Sequence, residues 1–184
     1  MPPAPDGKSV WLTFDDGPVP EATPWVLDIL DKYGVKATFF MVGENARRYP
    51  ELLSEVTGRG HRIGNHTHHH LRGFRVTTSA YLEDVAEASE YIESDLLRPP
   101  HGWLKPGQLR ALSCDYRVVM YDVVTRDYSR HLSAEDVVAN VRRWTRDGSI
   151  IVFHDSVKSM PRLREALPAS LEWLIGEGYK FKTF

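Results

Sequence analysis

Residues 10–18 have the sequence VWLTFDDGP, in which an apolar run leads directly into two adjacent aspartates and then into a Gly-Pro pair. An apolar run of this length that ends at a turn signal predicts a buried β-strand. Side chains alternate between the two faces of a strand, so neighbouring aspartates share one cleft only if the chain turns there. Two carboxylates this close repel each other unless a cation or a proton separates them. Asp15 and Asp16 therefore predict a compensating partner elsewhere in the sequence.

Strand and helix patterns alternate along the rest of the chain. Further strands are predicted over residues 35–42, 62–65, 117–124, 149–153 and 179–184, with a short apolar pair at 96–97. Helices are predicted over residues 23–33, 45–59 with a break at Pro50, 78–94, 106–114, 133–146 and along a leucine stripe at 163–174. Such alternation predicts a parallel sheet with helices outside it. With about seven strand candidates, we expect an α/β fold that is a distorted or incomplete (β/α) barrel, rather than a flat doubly wound sheet.

The bulk composition narrows the class of protein. The 184 residues include 42% apolar and 26% charged residues, which is typical of one globular domain spanning residues 1–184. Residues 1–8 are expected to be a disordered or trimmed tail, and they lack the apolar core of a signal peptide. A net charge of -2 argues against a nucleic-acid partner, and no apolar stretch is long enough to span a membrane. The single cysteine, Cys114, excludes an intrachain disulfide and is predicted to be a buried, inert thiol.

Titratable residues follow most of the predicted strands. They are Asp15 and Asp16, His66 and His70, Arg98, Asp127, and His154. In α/β barrels the carboxyl ends of the strands meet on one face, where catalytic groups collect. We therefore expect these side chains to converge on one site. The sequence contains neither a glycine-rich dinucleotide fingerprint nor a phosphate-binding loop, which argues against those two kinds of site.

His66 and His70 have a spacing that would place both imidazoles on one side of a helical turn. Two histidines and one aspartate form a common ligand set for a divalent cation, and Asp16 would supply the carboxylate. The alternative is a solvated or hydrogen-bonded histidine patch. On the metal interpretation, His68 and His69 project elsewhere.

A metal ion with open positions lowers the pKa of a water at the site and polarises a carbonyl. Asp15, next to that ion, would then act as general base. His154 is the best candidate for the acid that protonates the leaving group, although a core histidine at a strand end is the alternative. These roles together predict a metal-assisted hydrolase.

Five segments, in the same order along the chain, resemble the motifs of the polysaccharide deacetylases. This family is carbohydrate esterase family 4, also called the chitooligosaccharide deacetylase homology domain. The segments are TFDDG at 13–17, HTHHH at 66–70, RPPHG at 98–102, DY at 127–128 and IVFHD at 151–155. Together they extend over essentially the whole chain. The first two motifs are highly specific in combination, whereas the fourth alone is weak.

The resemblance implies a role for each matching residue. Asp15 is implied as catalytic base and His154 as acid, with Arg98 orienting the base and Asp127 holding the acid directly or through a bridging group. The metal ligands are implied to be Asp16, His66 and His70. For the substrate, the backbone N–H of His101 is implied to bind the oxyanion, Tyr128 to line the groove and Val152 to contact the acetyl group.

The sequence departs from the family pattern at three of these positions. His101 stands where the family usually has Tyr, Tyr128 where it has Trp, and Val152 where it has Leu. These differences bear on which substrate is used rather than on which reaction is catalysed, because every ionisable group that the chemistry needs is present. Trp103 either lines a sugar groove or packs internally.

The resemblance also implies one divalent metal ion, with Zn²⁺ the default for such ligands and Co²⁺ or Ni²⁺ as alternatives. The expected activity is removal of N-acetyl groups from N-acetylglucosamine-containing glycans, of the peptidoglycan or chitin type, with release of acetate. Two alternatives are an O-acetyl esterase acting on xylan and a glycan-binding protein without catalysis. The expected partner is an N-acetylated glycan, the family favours the cell envelope, and a monomer is expected with the oligomeric state open.

Overall fold

The computed structural model describes residues 7–184. Its strands are β1 (Ser9–Asp15), β2 (Thr38–Met41), β3 (Arg62–Asn65), β4 (Leu96–Leu97), β5 (Arg117–Val118), β6 (Val123–Val124), β7 (Ser149–His154) and β8 (Lys180–Lys182). Its α-helices are α1 (Thr23–Lys32), α2 (Gly43–Arg48), α3 (Pro50–Gly58), α4 (Thr78–Ser89), α5 (Pro106–Leu112), α6 (Ala134–Trp144) and α7 (Met160–Gly176). Two short 3₁₀ turns lie at Gly73–Arg75 and Pro100–Gly102.

All strand pairings are parallel, in the order β5-β4-β3-β2-β1-β7-β6, with β8 joined to the first half of β1. The path ends at β5 on one side and at β6 on the other, so the barrel is incomplete. This confirms the predicted architecture. Since every strand runs the same way, all the carboxyl ends open onto one face.

The central strand, β1, separates the core from the site. Val10, Leu12 and Phe14 point towards the helices, where Phe14 stacks on Phe39 and Phe153 with ring centroids 5.0 and 6.0 Å apart. The alternate residues of β1 face the barrel interior, where Asp15 ends the strand. One strand therefore supplies a large part of the hydrophobic core and also positions the first candidate catalytic group.

The single strand predicted over residues 117–124 is wrong, because the structure divides it into β5 and β6 at opposite edges of the sheet. Residues 119–122 cross the opening between these edges. The buried guanidinium of Arg98 takes up two backbone carbonyls here, donating from Nε to Val119 O and from Nη2 to Met120 O at 3.2 Å each. Carbonyls that face a buried cation are not available for a continuous strand ladder.

Three other predictions need correction or qualification. The helix predicted to extend to residue 94 ends at Ser89, after which the chain turns so that Ile92 is buried in the main core. Cys114 is exposed rather than buried. Of the predicted N-terminal tail, residues 1–6 lie outside the described residues, and residues 7–8 are exposed and precede β1. Within the described part of the chain, no helix is both long enough and apolar enough to cross a membrane.

His61, a buried histidine just before the amino end of β3, is expected to make the protein sensitive to acid. Its Nδ1 accepts the Ala37 N–H at 3.1 Å, while its Nε2 is buried with no hydrogen-bond partner among the described residues. Burial, with the nearby charge of Lys36, lowers the pKa of His61 to about 4. The unfolded chain, with a histidine pKa near 6.5, therefore binds a proton that the folded protein does not bind. We therefore expect the titration of His61 to lower the free energy of unfolding by up to about 3 kcal/mol as the pH falls from about 6.5 to 4.

The free energy of urea unfolding, measured at intervals between pH 7 and 4, tests this expectation. His61→Gln keeps an acceptor for the Ala37 amide but does not titrate, so its stability should fall less steeply over the same interval. Equal slopes for the two proteins would show that His61 does not carry the acid sensitivity.

Candidate active site and metal centre

One pocket of about 430 Å³ opens at the carboxyl ends of the strands. Its lining residues are Asp15, Asp16, His66, His70, Arg72, His101, Tyr121, Val124, Tyr128, Val152, His154 and Lys158. Most of the site residues expected from the sequence therefore meet here. Arg98 and Asp127 are fully buried and contact the pocket through neighbouring side chains, whereas Trp103 lies outside it.

The two adjacent aspartates reach this pocket because the chain turns sharply after β1. Asp16 has a φ of 82°, in the left-handed region that non-glycine residues seldom adopt. The Asn45 side-chain amide donates to the Asp16 carbonyl at 2.9 Å and holds the turn. Asp15 is nearly buried while Asp16 is partly exposed to the pocket, so the two carboxylates have different surroundings.

Asp16, His66 and His70 form a cluster with the geometry of a metal centre. Asp16 Oδ1 lies 3.2 Å from His70 Nε2 and 3.8 Å from His66 Nε2, and one ligand atom from each residue falls within 4.8 Å of the others. His66 Nδ1 hydrogen-bonds the Arg98 carbonyl at 2.7 Å, which places the ring proton on Nδ1 and leaves the Nε2 lone pair facing the cluster. This donor set fits a divalent cation.

The electrostatics of the same cluster favour a neutral histidine and an ionised carboxylate. Burial is the main reason that the pKa of His66 falls to about 4, against the opposing effect of the Asp15 charge. Burial also opposes ionisation of Asp16, but the hydrogen bond from His70 and the charge of His154 outweigh it and hold the pKa of Asp16 well below its usual range. These are the protonation states that metal ligation requires.

The helical turn expected for residues 66–70 is wrong, because the segment is a bent loop. Thr67 and His70 have φ values of 64° and 54°, and these two reversals bring the imidazoles of His66 and His70 together with ring centroids 5.1 Å apart. Asn65 supports the loop, since its Oδ1 accepts the Thr67 N–H at 2.8 Å. The loop after β3 therefore places His66 and His70 on the same side, as the spacing had predicted for a helical turn.

His68 and His69 point away from this cluster, as expected. His68 Nε2 lies 3.2 Å from Glu87 Oε1, and His69 Nδ1 lies 2.6 Å from Asp84 Oδ1. Asp84 is buried and also accepts the backbone N–H groups of both histidines. Its carboxylate therefore fixes the loop between the two candidate ligands, a function that no local sequence signal indicated.

Arg98 is placed to orient Asp15, in the manner that the resemblance implies. Its Nη1 donates to Asp15 Oδ1 and to Thr13 Oγ1, both at 2.7 Å, and its guanidinium stacks on Phe40 at 4.1 Å from the ring centroid. The arginine is completely buried. With five donors in a rigid planar fork, it fixes one oxygen of Asp15 and leaves the other oxygen directed to the pocket.

His154 and Asp127 form a second charged pair across the pocket. Asp127 Oδ1 lies 2.8 Å from His154 Nδ1 and its Oδ2 accepts the His154 backbone N–H at 2.7 Å, so the contact needs no bridging group. Burial alone would lower the pKa of His154, but the charge and hydrogen bond of Asp127 together with the charge of Asp16 raise it to about 9. His154 is therefore protonated at neutral pH and can donate a proton from Nε2.

The candidate substrate-contacting residues occupy different parts of the site. Tyr128 packs edge-on against His154 with centroids 4.9 Å apart, and buried Val152 forms an apolar wall. His101 has a φ of 60°, and its ring contacts His70 while Nε2 accepts the Arg72 Nε–H at 3.2 Å. Burial and the neighbouring charges of His70 and Arg72 lower the pKa of His101.

Two further residues of the site were not assigned a role from the sequence. Tyr121 lines the pocket, and the guanidinium carbon of Arg98 lies 5.4 Å from its ring centroid. Asp155 is fully buried, accepts the Gly17 N–H at 3.2 Å and the Thr23 hydroxyl at 2.7 Å, and so holds the turn that presents Asp16. A Cβ at residue 17 would lie 2.0 Å from Asp155 Oδ2, which explains the glycine.

Asp155 also differs chemically from the other acids. Burial raises its pKa to about 8, against the hydrogen bond from Thr23 and with a contribution from the Asp16 charge. It directly follows His154 and ends the fifth motif, IVFHD at 151–155, which was the sequence signal available for it. A carboxyl group held behind the Asp16–His66–His70 cluster in this way supports the turn and does not line the pocket.

Backbone strain is concentrated at this site. Five non-glycine residues among those described have positive φ, namely Asp16, Thr67, His70, His101 and Arg126. Four belong to the site motifs and the fifth precedes Asp127. Such conformations cost about 1–3 kcal/mol each and persist where surrounding contacts fix them, commonly at functional sites.

Comparisons with known proteins agree with this geometry. The family profile described as polysaccharide deacetylase matches residues 3–115. The chain is 33% identical to a peptidoglycan-N-acetylglucosamine deacetylase of Bacillus cereus over 96% of its length and 86% of that relative.

Solved structures show the same similarity in three dimensions. A peptidoglycan N-acetylglucosamine deacetylase, 33% identical, superposes with a TM-score of 0.91 over 96% of this chain and 86% of its own. A family 4 acetyl xylan esterase from Clostridium thermocellum, solved with a cobalt ion, is 32% identical with a TM-score of 0.84 over 96% of this chain and 88% of its own.

Proposed function

Because the chain belongs to the polysaccharide deacetylase family and is a hydrolase of that family, we propose that it removes N-acetyl groups from N-acetylglucosamine-containing glycans and releases acetate. The observation that carries the proposal is the placement of three units around one pocket. These are the Asp16–His66–His70 cluster, the Arg98–Asp15 pair and the Asp127–His154 pair. They supply a metal site, a base and an acid for amide hydrolysis.

The proposed cofactor is one divalent ion held by Asp16, His66 and His70, most simply Zn²⁺, with Co²⁺ and Ni²⁺ as alternatives. When bound, such an ion supplies Lewis acidity for the acetamide carbonyl and lowers the pKa of a water at the site. The tautomer of His66, fixed by the Arg98 carbonyl, supports this assignment.

Two residues of the chain carry out the proton transfers, one as base and one as acid. Asp15 accepts a proton from the attacking water while Arg98 holds the carboxylate in place. As the carbon–oxygen bond forms and the carbon–nitrogen bond breaks, His154 gives its Nε2 proton to the departing amine. The backbone N–H of His101 is proposed to stabilise the oxyanion, and Val152 to contact the acetyl methyl group.

The second candidate function is O-acetyl ester hydrolysis on xylan. It is favoured by the likeness to an acetyl xylan esterase, which has the same fold. The same acid, base and metal would serve both reactions, since an ester and an amide form similar tetrahedral intermediates. A glycan-binding protein without catalysis is less well supported, because binding alone requires neither charged pair.

A substrate panel decides among these functions. Purified protein is incubated with Zn²⁺, Co²⁺ or Ni²⁺ and with chitin oligosaccharides, peptidoglycan glycan fragments or acetylated xylan, and released acetate is quantified. Acetate from the N-acetylated glycans supports the proposal, and acetate from xylan alone supports the esterase. Glycan binding without acetate from any substrate would contradict both enzymatic functions.

Asp127→Asn is expected to move the alkaline limb of the pH–rate profile to lower pH. His154 donates a proton only in its charged form, so activity should fall as the pH rises through the pKa of about 9. Removing the Asp127 charge lowers that pKa and should shift the limb by at least about one unit. The measurement is kcat/KM for acetate release between pH 6 and 10.

The exposed Asp115 provides the matched control, because Asp115→Asn makes the same chemical change outside the pocket. Its profile should coincide with that of the wild type. An unchanged alkaline limb in Asp127→Asn would show that His154 is not the acid whose ionisation limits the rate.

A further inference from the structure

A second groove, of about 500 Å³, adjoins the active-site pocket. Its lining residues are Arg72, Phe74, Arg75, Pro100, His101 and Trp103. Arg72 and His101 line both spaces, so the two are continuous. A polymer whose reacting sugar lies in the pocket would extend its next residue into this groove.

Two aromatic rings form the apolar surface of the groove. Phe74 is 54% exposed and Trp103 is 63% exposed, and their rings meet edge-to-face with centroids 5.7 Å apart. Exposed aromatic surface next to a catalytic pocket is characteristic of ligand grooves. The apolar C–H face of a sugar ring fits such a platform.

The platform is held in place by a buried side chain. Gln108 is fully buried, its Nε2 donates to the Gly73 carbonyl at 2.9 Å and its Oε1 accepts the Lys105 N–H at 2.8 Å. It thereby fixes the turn bearing Phe74 to the segment that follows Trp103. A surface that is ordered before binding loses less entropy when its ligand arrives.

The rim of the groove is positively charged. Arg72 and Arg75 are both exposed, and among residues 7–184 no carboxylate lies within salt-bridge distance of either guanidinium. Of the two side chains, only Arg72 has a hydrogen bond to another described residue, from its Nε to His101 Nε2. On a protein with a net charge of -2, two unpaired guanidinium groups beside an aromatic platform suit an anionic ligand.

Building on the proposed function, we propose that this groove binds the sugar adjacent to the one being deacetylated and selects glycans in which that neighbour carries a carboxylate. The specific chemistry is a 3-O-lactyl ether with a free carboxylate on an amino sugar, as in peptidoglycan glycan strands that carry no stem peptide at that position. Phe74 and Trp103 contact the sugar ring, while Arg72 and Arg75 bind the carboxylate.

The test measures glycan binding, independently of turnover, in the metal-loaded Asp15→Asn protein. Isothermal titration calorimetry gives Kd for a chitin tetrasaccharide, which is neutral, and for a peptidoglycan tetrasaccharide that alternates N-acetylglucosamine with N-acetylmuramic acid. We expect the acidic glycan to bind about fivefold or more tightly at low salt, with the difference shrinking at high salt. Arg75→Gln should abolish most of that difference, and Trp103→Ala should weaken both glycans about tenfold.

Arg142→Gln is the matched control, since Arg142 is exposed on α6 and lines neither space. Equal affinity for the two tetrasaccharides, or an unchanged preference in Arg75→Gln, would overturn the inference. Such a result combined with acetate release by the wild type would leave the proposed deacetylase function intact. Conversely, a charge-dependent preference without acetate release would contradict the deacetylase function alone.

Discussion

Asp15→Asn is expected to lower the rate of acetate release about 10³-fold, because a general base accelerates such reactions roughly 10²- to 10⁴-fold. Asparagine has the same shape and can still accept the hydrogen bond from Arg98, but it cannot take a proton from water. Asp16, His66 and His70 are unchanged, so the metal content should remain that of the wild type. Acetate release and metal content by mass spectrometry are measured on the same samples.

The substitution also leaves the buried Arg98 without its anionic partner, which is expected to lower the free energy of unfolding by up to about 3 kcal/mol. Thermal denaturation therefore accompanies the assay, and activity is compared at temperatures where both proteins are folded. Asp95→Asn is a matched control, since Asp95 pairs with Arg62 at 3.2 Å on the exposed surface. Wild-type turnover by folded, metal-loaded Asp15→Asn protein would exclude Asp15 as the base.

His66→Ala is expected to lose both the metal and the activity. Altering groups that merely support a ligand commonly costs 10–100-fold in affinity, so removing a ligand should cost more than about 100-fold. The acetamide carbonyl then has no Lewis acid, and acetate release should fall to background. Metal affinity is measured by titration with Zn²⁺ or Co²⁺, and the ligand role is supported only if affinity and acetate release fall together.

His69→Gln provides a control within the same loop, because His69 contacts Asp84 and not the Asp16 cluster. It should retain metal and activity. Chelation of the wild type gives an independent check, since acetate release that survives complete removal of divalent ions would contradict a metal-assisted mechanism. Restoration of activity by one added ion over the others would identify the preferred metal.

Much of the fold follows from local sequence patterns. The alternation of apolar strands with helical patterns predicted a parallel, incomplete barrel, and the strand order confirms it. The rule that strand ends carry the chemistry correctly grouped Asp15, Asp16, His66 and His154 at one pocket. These predictions succeed because periodicity and strand direction depend on residues that are neighbours in the chain.

Other features depend on contacts between distant segments. Arg98 contacts Asp15 from 83 residues away, and the same guanidinium holds the carbonyls that interrupt the strand expected over residues 117–124. The support that Asp155 gives to Gly17 spans 138 residues. Neither contact has a local signature, because nothing in the neighbouring sequence specifies which strand lies opposite.

The sequence by itself determined the fold class, the order of the motifs and the kinds of atoms available for chemistry, because periodicity and residue type are local properties. The tertiary structure supplied the physical reason that Asp16 rather than Asp15 faces both His66 and His70, since the left-handed turn at Asp16 separates the two carboxylates. It also showed that residues 66–70 form a loop rather than a helix, and that Phe74 and Trp103 share a groove. These outcomes required knowing which segments pack together, because backbone conformation at each of these positions is fixed by contacts from elsewhere in the chain.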